Sequence, residues 1–398
     1  MLGVDANRCT CMVRHGYSLM RGGLVHRLLQ ATGVTRRSRH LSRWIAATLL
    51  AVGLLPLMLL CARSGWLWAR PSGMALLGDY TTLARLLLAL PLLVVAAPRA
   101  DALLHNAFRQ LSQPTLVPPR RQPRLAAVLS RVQRGRDGWL PEACCLVIAW
   151  LPPLLGDAPV TLLPGIADWR MDGHALNAAG HWHEWVSLPL YRLVLLLWWW
   201  RFVLWIGLLW RLPRVGLTLR PQHPDGAGGL GFLGLAQERF AVLSLVGGLL
   251  VAGACLNQMT YLGASLYSLR HLLGGYVVGA TLVLVAPLLL LAPPMLRARR
   301  HALFRFDALG ARMAATFDAR WHPLRTAAPA DSLLDHGDPS ALADFNAVYQ
   351  GVAGMAIVPI NRWNLLWIGL HAVLPLCPLV LLAMSVDELV GKLAGILL

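Results

Sequence analysis

Two arginines inside a long apolar stretch are the residues of this chain with the clearest chemical potential. Arg201 lies 15 residues into the stretch 186–210, and Arg192 lies nine residues before it. A guanidinium group at the centre of a bilayer costs about 2.5–3.5 kcal/mol on insertion scales. An arginine at such a position is therefore interpreted first as part of a functional site. Trp198 and Trp205 offer an alternative, since both fall on the helical face of Arg201 and can shelter it by cation–π contact. Arg201 is therefore a candidate ligand for an anion or an anionic lipid, and so is Arg192, on the opposite face, where it reaches the outer interface.

A glycine-rich loop that follows this stretch is the second candidate anion site. A turn that leads into a helix presents free backbone amides at the helix N-terminus, and such amides attract phosphates, including that of a phospholipid. The alternative is a tight turn whose glycines only permit close helix packing. The spacing G-x-G-x-x-G does not indicate a dinucleotide site, because an apolar helix and not a strand precedes it. The candidate residues of the loop are Arg220, His223, Asp225, Gly226, Gly228, Gly229 and Gly231.

A group of imidazole and carboxylate side chains is the third candidate. It consists of His174, His181, His183 and Glu184. These ligand types suit zinc or copper, which would make an outward-facing metal-dependent enzyme. The neighbouring Trp182 and Trp185 favour a different interpretation, an aromatic belt at the membrane interface that includes histidines. No ordering of nucleophile, base and acid residues points to another enzyme class, so no catalytic residue and no cofactor are predicted.

Seven apolar stretches must position these groups. Hydrophobic residues make up 57% of the chain and charged residues 14%, far from the composition of a soluble protein. A bilayer core of about 30 Å requires about 20 apolar residues per helix, and most of the stretches reach that length. The sequence therefore predicts an all-α integral membrane bundle of about seven transmembrane helices. The stretches are 44–62, 81–97, 142–156, 186–210, 240–256, 272–296 and 363–385.

The basic residues are distributed unevenly between the loops that connect these stretches. Alternate loops, 1–43, 98–141, 211–239 and 297–362, hold 28 of the 36 Lys and Arg residues. This is the positive-inside bias, and it predicts an N-in, C-out protein of a bacterial inner membrane. The net charge of +17 is explained by basic loops that face an anionic leaflet, so phospholipids and not nucleic acids are the predicted partners. Glu142 is the only acid within a stretch, which favours an anionic ligand over proton coupling.

The same pattern divides the chain into four parts: a basic tail (1–43), a bundle of about six spans (44–296), a helical cytoplasmic insertion (297–362), and a last span with an amphipathic tail (363–398). The insertion opens with a basic amphipathic helix suited to the membrane surface. The stretch 142–156 is short and contains Pro152 and Pro153, so a re-entrant segment is the alternative to a span there.

Three motifs resemble an uncharacterised family of bacterial polytopic membrane proteins. They are LRPQHPDGAGGLGFLG at 219–234, DPSALADFNAVYQGVAGMAIVPI at 338–360, and VDELVGKLAGILL at the C-terminus. The resemblance covers about the C-terminal half and implies a membrane protein without an assigned activity. From the residues themselves we expect non-enzymatic binding or conduction of an anion or anionic lipid. The alternative is a scaffold or sensor that signals through 297–362. The sequence does not determine the oligomeric state, and a homo-oligomer is one possibility.

Overall fold

Long helices account for most of the chain in the computed structural model, which describes residues 41–68, 73–155, 165–173, 175–321 and 338–383. Nearly all of the basic tail, His174, residues 322–337 of the insertion and the amphipathic end of the chain lie outside these residues. Among the described residues, six helical stretches have the length and composition to cross a membrane, and a bent pair of helices makes a seventh. The all-α bundle of about seven spans is thus confirmed.

Each predicted stretch falls on one of these helices. The helices are α1 (Leu41–Ser64), α2 (Tyr80–Leu111), the bent pair α3 (Gln122–Asp137) and α4 (Trp139–Leu155), α5 (Ala178–Val215), α6 (Gly231–Glu238) continued by α7 (Ala241–Leu262), α8 (Leu266–Val285) continued by α9 (Ala292–Trp321), α10 (Asp338–Ala353), and α11 (Arg362–Val373) continued by α12 (Cys377–Ala383). Two-residue strands pair on the outer side: β1 (Gly73–Met74) with β2 (Ala167–Asp168) in parallel, and β3 (Met171–Asp172) with β4 (Ala175–Leu176) in antiparallel orientation.

Two of the long helices contain a wider, π-helical segment. In α2 it covers Ala84–Ala89, and in α5 it covers His183–Ser187. Insertions of this kind shift the side chains around them and are frequent at functional sites. The apolar core lies further along α5, where Phe240 is surrounded by the rings of Trp198, Phe202 and Trp205 at centroid distances of 6.4, 5.1 and 6.2 Å.

Contacts between loops agree with the predicted alternation of sides. At one end of the bundle, the amide of Thr218 donates to the carbonyl of Leu116, at 2.9 Å, and the amide of Ala356 donates to that of Gly226, at 2.8 Å. These contacts join the three predicted inner loops that the structure describes. At the other end, the hydroxyl of Tyr261 donates to the carbonyl of Gly78, at 3.1 Å. Which end faces the cytoplasm still rests on the charge bias alone.

The third predicted stretch crosses the bundle. Helices α3 and α4 meet at a bend of 42° and run along α5 in the opposite direction. Arg121, at the start of α3, donates to the carbonyl of Gly216, beyond the inner end of α5. Trp150, late in α4, donates to the carbonyl of Trp185, near the outer end of α5, at 3.1 Å. Because the pair follows α5 from end to end, it does not return to the side on which it began.

The insertion is a helical hairpin that grows out of the sixth span. Leu266–Trp321 forms one continuous helical stretch, and α9 is its inner half. The ring of Phe306 stacks on Phe345 of α10 at 6.0 Å, and the hydroxyl of Tyr349 donates to Asp307 at 2.7 Å. The predicted helical insertion is present. Its basic helix is one arm of this hairpin and is continuous with the sixth span.

Candidate functional site

The glycine-rich loop closes on the side chain of its own aspartate. Gly226, Gly228 and Gly229 have φ angles of 62°, 66° and 93°, conformations that L side chains rarely adopt. They coil the chain so that several amides converge. The carboxylate of Asp225 accepts hydrogen bonds from the amides of Ala227 at 2.9 Å, Gly229 at 3.1 Å and Gly231 at 2.9 Å.

This arrangement changes the interpretation of the loop as an anion site. The amides that were expected to attract an external phosphate already bind Asp225, and Nδ1 of His223 lies 2.9 Å from the same carboxylate. Burial alone would raise the pKa of Asp225. The hydrogen bonds from Gly231, Ala227, Gly229 and His223 together outweigh it and hold that pKa below its ordinary value. The expected binding by loop amides is therefore corrected: Asp225 fills that position itself.

A pocket of about 460 Å³ lies beside the loop. It opens between the inner end of α2, the chain that follows it, and the start of α6. Amide, hydroxyl, guanidinium and imidazole side chains line one part of it: Gln110, Gln113, Thr115, Thr218, Arg220 and His223. Leu116, Phe232 and Leu235 line the rest, and Leu235 is 54% exposed on the surface of the bundle. The loop thus forms one wall of an amphipathic pocket near the predicted inner interface.

Arg220 is the cation of this pocket. Its side chain is exposed, while its backbone is fixed by hydrogen bonds with Gly228 and His223. Within the described residues, no carboxylate pairs with its guanidinium group. Asp225 lines the same pocket, but its oxygens are directed to the loop amides. Arg220 therefore offers five donors and a full positive charge to a ligand.

Arg201 lies in a different environment, deep in the bundle. Its Nη2 is 3.5 Å from Oε1 of Glu142 on α4, and the two side chains are only 7% and 4% exposed. Buried Asp101 of α2 and buried Arg136 of α3 belong to the same charged neighbourhood. Besides Glu142, Arg201 thus has a second buried acid and a second buried arginine nearby. The predicted anion-binding role of Arg201 loses its main support, because the cation already has a partner.

The two tryptophans expected to shelter Arg201 have other hydrogen-bond partners. The indole of Trp198 donates to the carbonyl of Leu93 at 3.1 Å, and that of Trp205 donates to Gln237 at 2.6 Å. Gln237 in turn donates to the carbonyl of Leu284. These polar contacts tie α5 to α2, α6 and α8.

The histidine group does not assemble as a metal centre in the described part of the chain. His183 is buried beside Trp169, with ring centroids 5.4 Å apart, whereas His181 is exposed. Glu184 lies 3.7 Å from Arg170. No three described His, Cys, Asp or Glu side chains come close enough together to hold a metal ion. Because His174 lies outside the described residues, the four-residue site stays a prediction, which metal analysis with and without His181→Ala would check.

Several residues of the outer half were not singled out from the sequence. Asp79 is fully buried and accepts hydrogen bonds from Thr82, Trp169 and Asn257, the last at 3.1 Å. Asn257 is 178 residues away in the chain. No local pattern marks such a pair. Arg192 lies in this half, nine residues or about 13 Å along α5 from Arg201, so the two arginines do not share a site.

The helices and their apolar surfaces define an integral, multi-pass helical membrane protein. No protein-family model, curated protein or solved structure matches the chain. The resemblance to bacterial polytopic membrane proteins therefore stays a prediction, as does the assignment to the inner membrane.

Proposed function

We propose that this membrane protein binds a phosphate-bearing anion in the pocket beside the Asp225 loop, and that the anion is a phospholipid headgroup. The observation that carries the proposal is the unpaired guanidinium of Arg220 in a cavity of about 460 Å³. Arginine donors match phosphate oxygens in number and geometry, and such charge-assisted hydrogen bonds are the strong ones.

The surroundings of Arg220 favour a lipid over a free anion. The pocket lies at the end of the spans that the charge bias assigns to the cytoplasm, where anionic headgroups are available. Its apolar side leads to the exposed Leu235, along which an acyl chain can run. The amides of Gln110 and Gln113 and the hydroxyl groups of Thr115 and Thr218 can bind a glycerol or other polar headgroup.

Binding, and not conduction, is the activity we propose. Conduction was expected to use Arg201, whose charge is now balanced by Glu142. The pocket sits at one end of the bundle and does not include Arg201 or Arg192 among its lining residues. A headgroup held there would anchor the loop and α6 to the leaflet.

The test compares lipids and variants in one titration. Purified protein in a neutral maltoside detergent is titrated with short-chain phosphatidylglycerol, with phosphatidylcholine and with soluble glycerol 3-phosphate, and binding is measured calorimetrically. We expect phosphatidylglycerol to bind most tightly, and Arg220→Gln to weaken it about 10- to 100-fold, the effect of a lost hydrogen bond to a charged group. Tight binding of glycerol 3-phosphate without a preference for the lipid would make the ligand a free phosphate compound.

The matched control is Arg214→Gln. Arg214 is exposed on the same side of the bundle and stacks on Trp210 at 4.4 Å, outside the pocket. The variant Arg214→Gln removes the same charge as Arg220→Gln, but it should leave the lipid affinity within about twofold of the parent, since exposed charges are screened. Equal losses in both variants would contradict the proposal, because the effect would then belong to overall charge.

A second candidate function is the scaffold or sensor that acts through the insertion. One observation favours it: the hairpin of α9 and α10 exposes Phe304 (75%), Leu309 (47%) and Val348 (44%). Exposed apolar groups on a projecting hairpin are suited to a protein partner. Under this hypothesis Phe304→Asp should abolish co-purification of a partner from membranes while headgroup affinity is unchanged.

A further inference from the structure

The outer half of the bundle contains buried polar atoms without partners. In the described residues, three of the seven buried side-chain atoms that lack a hydrogen bond lie in the outer part of α5, over about two and a half turns: Nδ1 of His183, the hydroxyl of Tyr191 and Nη1 of Arg192. His183 is 1% exposed and Tyr191 is 3% exposed. Buried polar groups are nearly always hydrogen-bonded, so a concentration of unpartnered ones calls for an occupant.

Arg85 of α2 faces the same region. Its guanidinium carbon lies 5.8 Å from the centre of the Tyr191 ring, and it is within electrostatic range of both Arg192 and His183. Arg85 belongs to the π-helical segment Ala84–Ala89, and His183 opens the other such segment, in α5. The two π-helical segments of the described chain thus bring Arg85 and His183 to the same region of the bundle.

The acids of this region are occupied by other donors. Asp168 accepts from Nε of Arg170 at 2.8 Å, and Glu184 lies 3.7 Å from the same guanidinium. Burial alone would lower the pKa of Arg170, but its hydrogen bond with Asp168 and the surrounding acids raise it, so Arg170 is held as a cation.

Asp79, the third acid, is bound by neutral groups. Its oxygens accept from the amide and hydroxyl of Thr82, from Trp169 and from Asn257. Within the described residues, therefore, no carboxylate hydrogen-bonds to Arg85 or Arg192, although Asp79 and Glu184 lie near enough to act on them through space.

We propose that Arg85, His183, Tyr191 and Arg192 form a second binding site, for a small oxyanion such as phosphate, sulfate or a carboxylate. Guanidinium groups only donate, so a bound group must supply acceptor oxygens in number. A planar guanidinium matches the paired oxygens of a carboxylate or phosphate. A water molecule is the competing occupant, but it would need to donate two of its own hydrogen bonds in a region where donors predominate.

This site is distinct from the Arg220 pocket, at the opposite end of the bundle, so the two proposals are tested separately. All proteins in the test carry Arg220→Gln, which removes the cation of the inner pocket. The full-length protein in neutral detergent is titrated calorimetrically with sodium phosphate, sodium sulfate and sodium acetate. We expect at least one anion to bind saturably, with one ion per chain.

Two variants and two matched controls locate the ion. Arg192→Gln should weaken binding at least about tenfold, the effect of losing one hydrogen bond to a charged group, and Tyr191→Phe should weaken it severalfold. The controls are Arg270→Gln and Tyr267→Phe, an exposed arginine and tyrosine that stack at 3.5 Å elsewhere on the outer side. They should bind like the parent.

The absence of saturable binding for all three anions would overturn the proposal, as would equal affinities in the variants and the controls. Tyr191→Phe removes a single oxygen and keeps the ring beside Arg85. If Arg192→Gln fails to fold, Tyr191→Phe decides alone, and an unchanged affinity in that variant overturns the site.

Discussion

Removing the negative charge of Glu142 should destabilise the bundle strongly. The variant Glu142→Gln keeps the shape of the side chain but removes the carboxylate that forms an ion pair with the buried Arg201. The two groups are 3.5 Å apart, which corresponds to a gross attraction of about 5 kcal/mol at an effective dielectric constant of about 20. Measured losses for breaking a buried ion pair on one side are about 3–5 kcal/mol, because the remaining charge is uncompensated.

The double variant Glu142→Leu with Arg201→Met separates charge pairing from packing. It removes both charges and fills the space with apolar groups. Replacing a whole buried pair is often neutral or stabilising, so we expect its free energy of unfolding to lie within about 1 kcal/mol of the parent. Arg239→Gln is the control for a more exposed pair. Its partner Glu238 is 3.7 Å away, and the arginine side chain is 36% exposed. The expected loss is about 0–1 kcal/mol.

The assay is reversible unfolding in mixed micelles of sodium dodecyl sulfate and a neutral detergent, followed by tryptophan fluorescence. It yields the free energy of unfolding for each variant. A loss below about 1 kcal/mol for Glu142→Gln would show that Glu142 and Arg201 do not behave as a buried ion pair, since that is the range measured for exposed pairs. A double variant as unstable as the sum of the two single ones would show the same, because the charges would then not act as a pair.

Three further predictions concern the loop and the helix contacts. Gln237→Leu should destabilise the bundle by about 1–3 kcal/mol in the same assay, because the buried indole of Trp205 loses its acceptor. The low pKa of Asp225 means that its contribution to stability is present above the unfolded pKa of about 4 and is lost as the pH falls through the folded value. The protection factors of the loop amides, which compare observed with intrinsic exchange at the same pH, should therefore fall in acid. Asp225→Asn should abolish that dependence, with protection already low at neutral pH; a parent loop whose protection factors do not change with pH would contradict this. Gly234→Ala should destabilise, because its Cβ would collide with the carbonyl of Pro359, whereas Gly279→Ala, with open space around it, should unfold like the parent; equal stability of the two would contradict the close packing.

The spans were predictable because each one follows from a continuous run of apolar residues in the sequence. The run 44–62 carries no charged residue and the run 186–210 carries only two arginines, so hydrophobic length identifies both as membrane helices. The stretch 142–156 was foreseen only as an ambiguity, a span or a re-entrant segment, and the bend between α3 and α4 was not foreseen. What resolves the ambiguity is the contact of α3 and α4 along the whole length of α5, and no local signal reports such a contact.

The candidate sites were predictable in part. Arg220 and His223 were chosen for their place in a glycine-rich loop, and the structure puts both in a pocket. Asp225 was chosen as a ligand residue, yet its carboxylate accepts hydrogen bonds from the amides of its own loop. That arrangement follows from the backbone conformation of the loop, which its composition does not specify. The partner of Arg201 could not be assigned, since Glu142 lies 59 residues away and appeared to mark only the edge of a segment.

The outer site was the least predictable. Arg192 was a candidate, but its neighbour His183 was assigned to a metal group. The π-helical segments that bring them together have no recognised sequence signature in the chain. Long-range contacts between polar residues, such as Asp79 with Asn257, follow from tertiary packing, which a pattern of apolar residues does not encode.

The most direct test of the proposed function is native mass spectrometry of the protein released from nanodiscs made of equal parts phosphatidylglycerol and phosphatidylcholine. We expect the parent and Arg214→Gln to retain one phosphatidylglycerol per chain and Arg220→Gln to lose it. Retention of the same lipids by Arg220→Gln and the parent would contradict the assignment of the pocket.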